Sequence, residues 1–164
     1  MQHAIFPGSF DPITFGHLDL IERGARLCER LTIVIGVNNA KKTLFTPVER
    51  QKQIQQLVQH LANVDVVIVE NELIARYAQT QGATALLRGI RNTTDFEYED
   101  TMAQANHLLA SKVETVVLLA KPELRYVSSS LVKEIAHYGG DVSQLVPEVI
   151  QTALQTKGNE KVAK

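Results

Sequence analysis

The sequence has few of the features that mark exported, membrane-bound or disulfide-stapled proteins. It contains one cysteine, Cys28, so no disulfide can form within the chain and a reducing compartment is the simpler expectation. The N-terminus runs straight into the strand-like stretch His3-Ala4-Ile5-Phe6. No basic segment precedes an apolar one there, so no export signal is expected. No apolar run approaches the length that spans a bilayer. These features lead us to expect a cytoplasmic protein with no membrane partner. A formal net charge of -1 lacks the basic excess of a dedicated nucleic-acid surface, so no nucleic-acid partner is expected. His3, His60, His107 and His137 show no metal-ligand spacing, so we expect no protein metal site. Neither G-x-G-x-x-G nor a P-loop GK[ST] occurs, which argues against a nicotinamide dehydrogenase or a P-loop kinase.

Short aliphatic and β-branched runs are present at residues 4–6, 31–37, 64–69, 84–87 and 115–119. Several are apolar throughout rather than alternating, as in parallel strands covered on both faces. Helical patterns fill the gaps. The first covers about 16–30, with Leu18, Ile21, Ala25 and either Leu27 or Cys28 on its inner stripe. The second starts at Thr46-Pro47-Val48-Glu49, a capping box with proline at N1. Others are expected over 72–81, closed by Gly82, over 95–110, over 128–138, closed by Gly139-Gly140, and briefly from Pro147. This alternation predicts an α/β fold, a doubly wound, Rossmann-like parallel sheet of five strands. A single domain over residues 1–156 and a polar, frayed tail over 157–164 are expected.

Ligands of such sheets bind outside the carboxyl ends of the strands. The sequence places Gly8-Ser9-Phe10-Asp11-Pro12-Ile13-Thr14-Phe15-Gly16-His17 after the first strand and Lys41-Lys42 after the second. Arg88-Gly89-Ile90-Arg91 follows the fourth, and Arg125-Tyr126-Val127-Ser128-Ser129-Ser130 the fifth. Fixed cations, a glycine turn and hydroxyls at a helix start are the parts of a polyphosphate site. Each part also has a plainer reading. The lysine pair could be a solvated turn, the arginines could pair with Asp95 or Glu97, and the serines could only cap a helix. Glu99 could be an exposed helix residue. Cys28 reads as a small core side chain.

Thr14-Phe15-Gly16-His17 matches the (H/T)xGH signature of the nucleotidyltransferase superfamily. Val127-Ser128-Ser129-Ser130-Leu131-Val132-Lys133 matches its second signature, a hydroxyl-rich helix start with a basic residue soon after. Further motifs are Lys41-Lys42 ahead of Phe45-Thr46-x-x-Glu49-Arg50, Leu87-Arg88-Gly89-Ile90-Arg91, and Asp95-Phe96-Glu97-Tyr98-Glu99. With these, the chain resembles the bacterial phosphopantetheine adenylyltransferases over essentially its whole length.

The resemblance implies adenylyl transfer from ATP to 4′-phosphopantetheine, giving dephospho-coenzyme A and pyrophosphate in coenzyme A biosynthesis. The attack would be direct and in line, without a covalent intermediate. By the resemblance His17 stabilises the transition state at the α-phosphate, and Lys41 and Arg88 hold the acceptor phosphate. Ser9 bridges the two substrates, where the family usually has Thr. Ile74 touches the pantetheine arm through its backbone, where the family commonly has Met or Leu. The ATP side is implied to comprise Phe10, Gly89, Ile90, Arg91, Glu99, Leu124, Arg125, Tyr126, Val127, Ser128, Ser129 and Ser130. The resemblance further implies Mg²⁺ carried in with ATP, a homohexamer, and coenzyme A or its dephospho form as product or feedback ligand. Two other readings stay open. One is adenylyl or cytidylyl transfer to another phosphorylated acceptor such as nicotinamide mononucleotide, and the other is a non-catalytic nucleotide-binding protein.

Overall fold

The computed structural model describes residues 1–37 and 42–162, the last four of these as backbone only. Five parallel strands form one sheet in the order β3-β2-β1-β4-β5. They are β1 (His3–Gly8), β2 (Arg30–Val37), β3 (Val64–Glu70), β4 (Ala85–Ile90) and β5 (Glu114–Leu119). Successive side chains of a strand point to opposite faces, and the central strands divide accordingly between two cores. Ala4, Phe6, Leu31, Ile33, Ile35, Ala85 and Leu87 enter one cluster, and Ile5, Val34 and Leu86 enter the other. The first core is covered by α1 (Phe15–Leu27), α2 (Pro47–Val58), α5 (Ser129–His137) and α6 (Glu148–Val162), through residues such as Ile21, Ile54, Val132 and Ile150. On the opposite face, α3 (Ile74–Thr80) supplies Ala75 and Ala78. The remaining helix, α4 (Thr93–Leu109), packs against β4, β5 and α3. The expected doubly wound α/β fold is the observed one.

Strand order reverses between β1 and β4, because the chain builds outward through β2 and β3 and then returns to the other side of β1. Loops leaving these two strands diverge and open a crevice, the usual ligand position in such sheets.

Local chemistry sets most element ends. Thr46 caps α2 in a reciprocal box with Glu49, as expected. Gly82 and Gly139 take φ of +67° and +73° after α3 and α5, a region costly for residues with a Cβ. The inner stripe of α1 continues into buried Cys28, while Leu27 is exposed. Four expectations need correction. Arg88, Gly89 and Ile90 lie within β4, not after it. The strand β5, apolar in sequence, is not buried like the central strands, because it is a sheet edge and Leu119 is 65% exposed. Helix α4 begins at Thr93, because the Asn92 side chain accepts from Asp95 N and caps it there. Helix α6 continues past residue 156 to Val162, with Lys157 paired to Glu49 at 2.9 Å.

Candidate active site

At the carboxyl end of β1 the chain turns sharply. Phe10 has φ +47°, and its ring folds back against Phe6, at 5.5 Å between centroids, and His17, at 5.1 Å. A Cβ on Gly8 would lie 2.9 Å from the Phe10 Cζ, so a side chain there would push the Phe10 ring out of this position. Two buried charges hold it from beneath. Leu44 N and Phe45 N donate to the Asp11 carboxylate at 2.9 and 2.8 Å, and Lys133 Nζ lies 3.2 Å from it. Arg50, 2% exposed, donates through Nη1 to Ser9 O at 2.6 Å. Burial pushes the Arg50 guanidinium below its ordinary pKa, opposed by the nearby Asp11 charge.

Thr14 caps α1, and His17 occupies N3 of a reciprocal capping box. The His17 N–H reaches Thr14 Oγ1 at 3.4 Å, and Thr14 N donates to His17 Nδ1 at 3.1 Å. Thr14 Oγ1 also lies 3.0 Å from Nδ1. Burial, and then the Arg91 charge, hold the His17 pKa down to about 4. The ring is therefore neutral at physiological pH, with Nδ1 as acceptor. Its one N–H is on Nε2, free to donate into the cleft that His17 lines.

Both β4-edge arginines are paired. Arg88 Nε donates to Glu99 Oε2 at 2.7 Å, its Nη2 to Oε1, and its Nη1 to Pro7 O at 3.1 Å. Arg91 Nε and Nη2 donate to the two oxygens of Asp95 at 2.8 and 3.1 Å. Hydrogen bonding between the pair raises the Arg91 pKa and lowers that of Asp95. The plainer pairing with Asp95 holds for Arg91, whereas the partner of Arg88 is Glu99, which is buried and not an exposed helix residue.

Opposite, the N-terminus of α5 faces the turn. The Ser128 side chain accepts from Leu131 N at 3.1 Å, and Ser129 Oγ donates to Pro12 O at 2.7 Å. These walls enclose a cleft of about 400 Å³. Of the residues expected in the site, Ser9, Phe10, His17, Arg88, Gly89, Arg91, Glu99, Leu124, Val127, Ser128, Ser129 and Ser130 line it. A Cβ on Gly89 would collide with Leu20 Cδ1, so glycine there lets α1 pack close to β4. Four expected residues fall outside the lining. Ile90 is buried at the end of β4, and Arg125 and Tyr126 are exposed to solvent. Ile74 opens α3 and packs, half-buried, on the core of the opposite sheet face. Lys41 lies outside the described residues.

Sequence reasoning missed Asp11, Arg50 and Thr14 as supports of the site, and Leu20, Asp95, Tyr98 and Ala120 as part of its lining. A signal existed for Thr14, since T-x-x-H has capping-box spacing with histidine in the glutamate position. None existed for the long-range contacts of Asp11 and Arg50. Among the described residues no group of three or more His, Cys, Asp or Glu side chains could hold a metal ion. No helix among them is long and apolar enough to cross a membrane.

A family model of cytidylyltransferase-like proteins matches residues 5–135. The chain is 50% identical to a protein of Latilactobacillus sakei subsp. sakei named phosphopantetheine adenylyltransferase, over 94% of this chain and 93% of that one. It is 43% identical to one of the same name from Caldanaerobacter subterraneus subsp. tengcongensis, over 96% and 98%. Among solved structures, a Vibrio parahaemolyticus protein provisionally assigned as a nicotinate-nucleotide adenylyltransferase superposes with a TM-score of 0.70 at 17% identity, over 96% of this chain and 94% of that one. That likeness is one of fold.

Proposed function

Because the chain belongs to the cytidylyltransferase-like family, we propose that it is a phosphopantetheine adenylyltransferase, transferring the adenylyl group of ATP to 4′-phosphopantetheine and releasing pyrophosphate. Relatives of that name, 43% to 50% identical over nearly the whole chain, support the acceptor. The observation that carries the chemistry is the placement of His17, whose Nδ1 accepts from Thr14 N and whose ring lines a cleft rimmed by Arg88, Arg91 and the α5 N-terminus.

The nucleophile is a phosphate oxygen already ionised near neutral pH, so no general base and no covalent intermediate are required. The protein has to align two anions and stabilise charge that develops at the α-phosphorus. His17 Nε2–H does so at the α-phosphate. The Ser128–Ser130 helix start and Arg91 serve the ATP phosphates, while Arg88 and Lys41 hold the acceptor phosphate. Ser9, at the β1 turn, bridges the two substrates. Mg²⁺ enters as part of the MgATP substrate. The two carboxylates that line the cleft, Asp95 and Glu99, are both engaged by arginine, and an ion that keeps several waters does not need a protein cage.

We place the enzyme in the cytoplasm as a homohexamer, with coenzyme A or its dephospho form as product or feedback ligand. Mass spectrometry of the purified protein tests the last point through a co-purifying coenzyme A species. A panel of phosphorylated acceptors scored by pyrophosphate release tests the function. Turnover is expected with 4′-phosphopantetheine, and activity with nicotinamide or nicotinate mononucleotide alone would overturn the reading. ATP binding without turnover of any acceptor would do the same.

A further inference from the structure

Helix α4 has one buried residue, and it is a carboxylate. Glu99 is 8% exposed, while the rest of Thr93–Leu109 is partly or fully exposed. Burying a charge is costly unless it is paired, and a buried pair seldom outperforms apolar packing of similar volume. Stability alone therefore gives little reason for glutamate at this point. Its contacts give a better one.

A guanidinium has five N–H groups in a fixed fork. In Arg88 the Nε–H and one Nη2–H go to Glu99, and one Nη1–H goes to Pro7 O. Two N–H groups remain, one on each terminal nitrogen, with no partner among the described residues. Three contacts from two directions leave the guanidinium plane no freedom to rotate. Arg88 lies within β4, so its backbone is fixed as well. Two coplanar donors on a rigid mount match the oxygens of a phosphate.

We infer that Glu99 is a positioning residue for Arg88. It occupies the Nε edge of the guanidinium and presents the remaining donors to the acceptor phosphate. The inference rests on the reading of Arg88 as the acceptor-phosphate ligand, and it ties Glu99 to the acceptor phosphate through Arg88.

The test uses the full chain with both substrates varied, in Glu99→Gln, Glu99→Asp, Arg88→Ala and the Arg88→Ala/Glu99→Gln double variant. Glu99→Gln is expected to raise the KM for 4′-phosphopantetheine about tenfold or more, the scale of one lost charge-assisted hydrogen bond, and to leave the KM for ATP within about twofold. In the double variant Glu99→Gln should add almost nothing to the loss from Arg88→Ala, since a positioning residue has no effect without its target. Glu99→Asp keeps the charge but retracts it by one methylene, and should raise the same KM by a smaller factor. It carries the test if Glu99→Gln does not fold. A rise in the ATP KM with the acceptor KM unchanged, an equal rise in both, or multiplicative losses in the double variant would overturn the inference. An unchanged acceptor KM in Arg88→Ala would instead overturn the underlying reading of Arg88.

Discussion

At the scale of single residues, the site depends on a histidine that must donate a hydrogen bond without carrying a proton to give away. The Thr14 N–H fixes the tautomer from the Nδ1 side, and burial with Arg91 holds the pKa to about 4. The acid limb of the rate profile should therefore not report His17. It should follow the second ionisation of the acceptor phosphate, about 6 for phosphate monoesters, and at saturating acceptor it should move to lower pH as far as the cationic site lowers that ionisation in the complex. A limb that vanished in a His17 variant of reduced but measurable activity would contradict this. His17→Ala is expected to lower kcat by about 10²–10³-fold, the scale of a lost oxyanion-type donor, with the Kd for ATP nearly unchanged.

The same depressed pKa has a consequence for stability. The unfolded histidine titrates at 6.5 and the folded one at about 4, so between these values the unfolded chain binds more protons. Stability then rises with pH across that window, is complete above 6.5, and is lost as pH falls toward 4. The contribution is about 3 kcal/mol at most. Denaturant midpoints of the wild type and His17→Ala should converge as pH drops from 7 to 5, and parallel curves would refute the coupling. Gly16 separates fold from function in another way. A Cβ there would meet Thr14 Oγ1 at 3.5 Å and the oxygens of Leu124 and Val127 at 3.9 Å, all ordinary contacts. Gly16→Ala should then leave the melting temperature unchanged or slightly raised, since alanine is favoured in helices by about 1 kcal/mol. It should weaken ATP binding, because the added methyl stands beside the cleft.

At the scale of elements, the legible features were those with a local cause. Strand cores showed as β-branched runs, and the start of α2 and the ends of α3 and α5 showed through Thr46, Gly82 and Gly139. Features that depend on long-range pairing were not legible. Nothing near Arg88 reveals that β4 extends past it, because strand length is set by pairing with β5. Nothing near Glu99 marks it as buried, since its partner lies on another element. Asp11 is the clearest case. Its carboxylate joins the β1–α1 turn to the chain entering α2 and to Lys133 on α5. Asp11→Ala would leave two backbone N–H groups without their acceptor and should cost about 2–3 kcal/mol, discounted for the partly exposed lysine. Chemical denaturation measures this directly. A loss below about 0.5 kcal/mol, the range of ordinary surface substitutions, would show that water replaces the carboxylate at no cost.

At the scale of the whole molecule, the two sheet edges and the outer face of α4 decide whether the chain is complete alone. Helix α4 buries only Glu99, yet it shows Phe96 at 57% and Leu108 at 88% exposure. It packs on β4 and β5, and β5 presents exposed Leu119 along an edge with no strand beyond it among the described residues. Apolar side chains beside an open strand edge are a liability in a monomer and an asset in an assembly. The proposed hexamer gives them a use, since closed symmetry repeats one self-complementary surface until none is left over. Static light scattering should return six copies of the chain per particle. Charged substitutions confined to this surface, Leu108→Glu with Phe96→Glu, should lower the particle mass while each chain stays folded by circular dichroism. A monomeric wild type would remove the hexamer from the reading. A hexamer unaffected by these substitutions would place its interfaces on another surface.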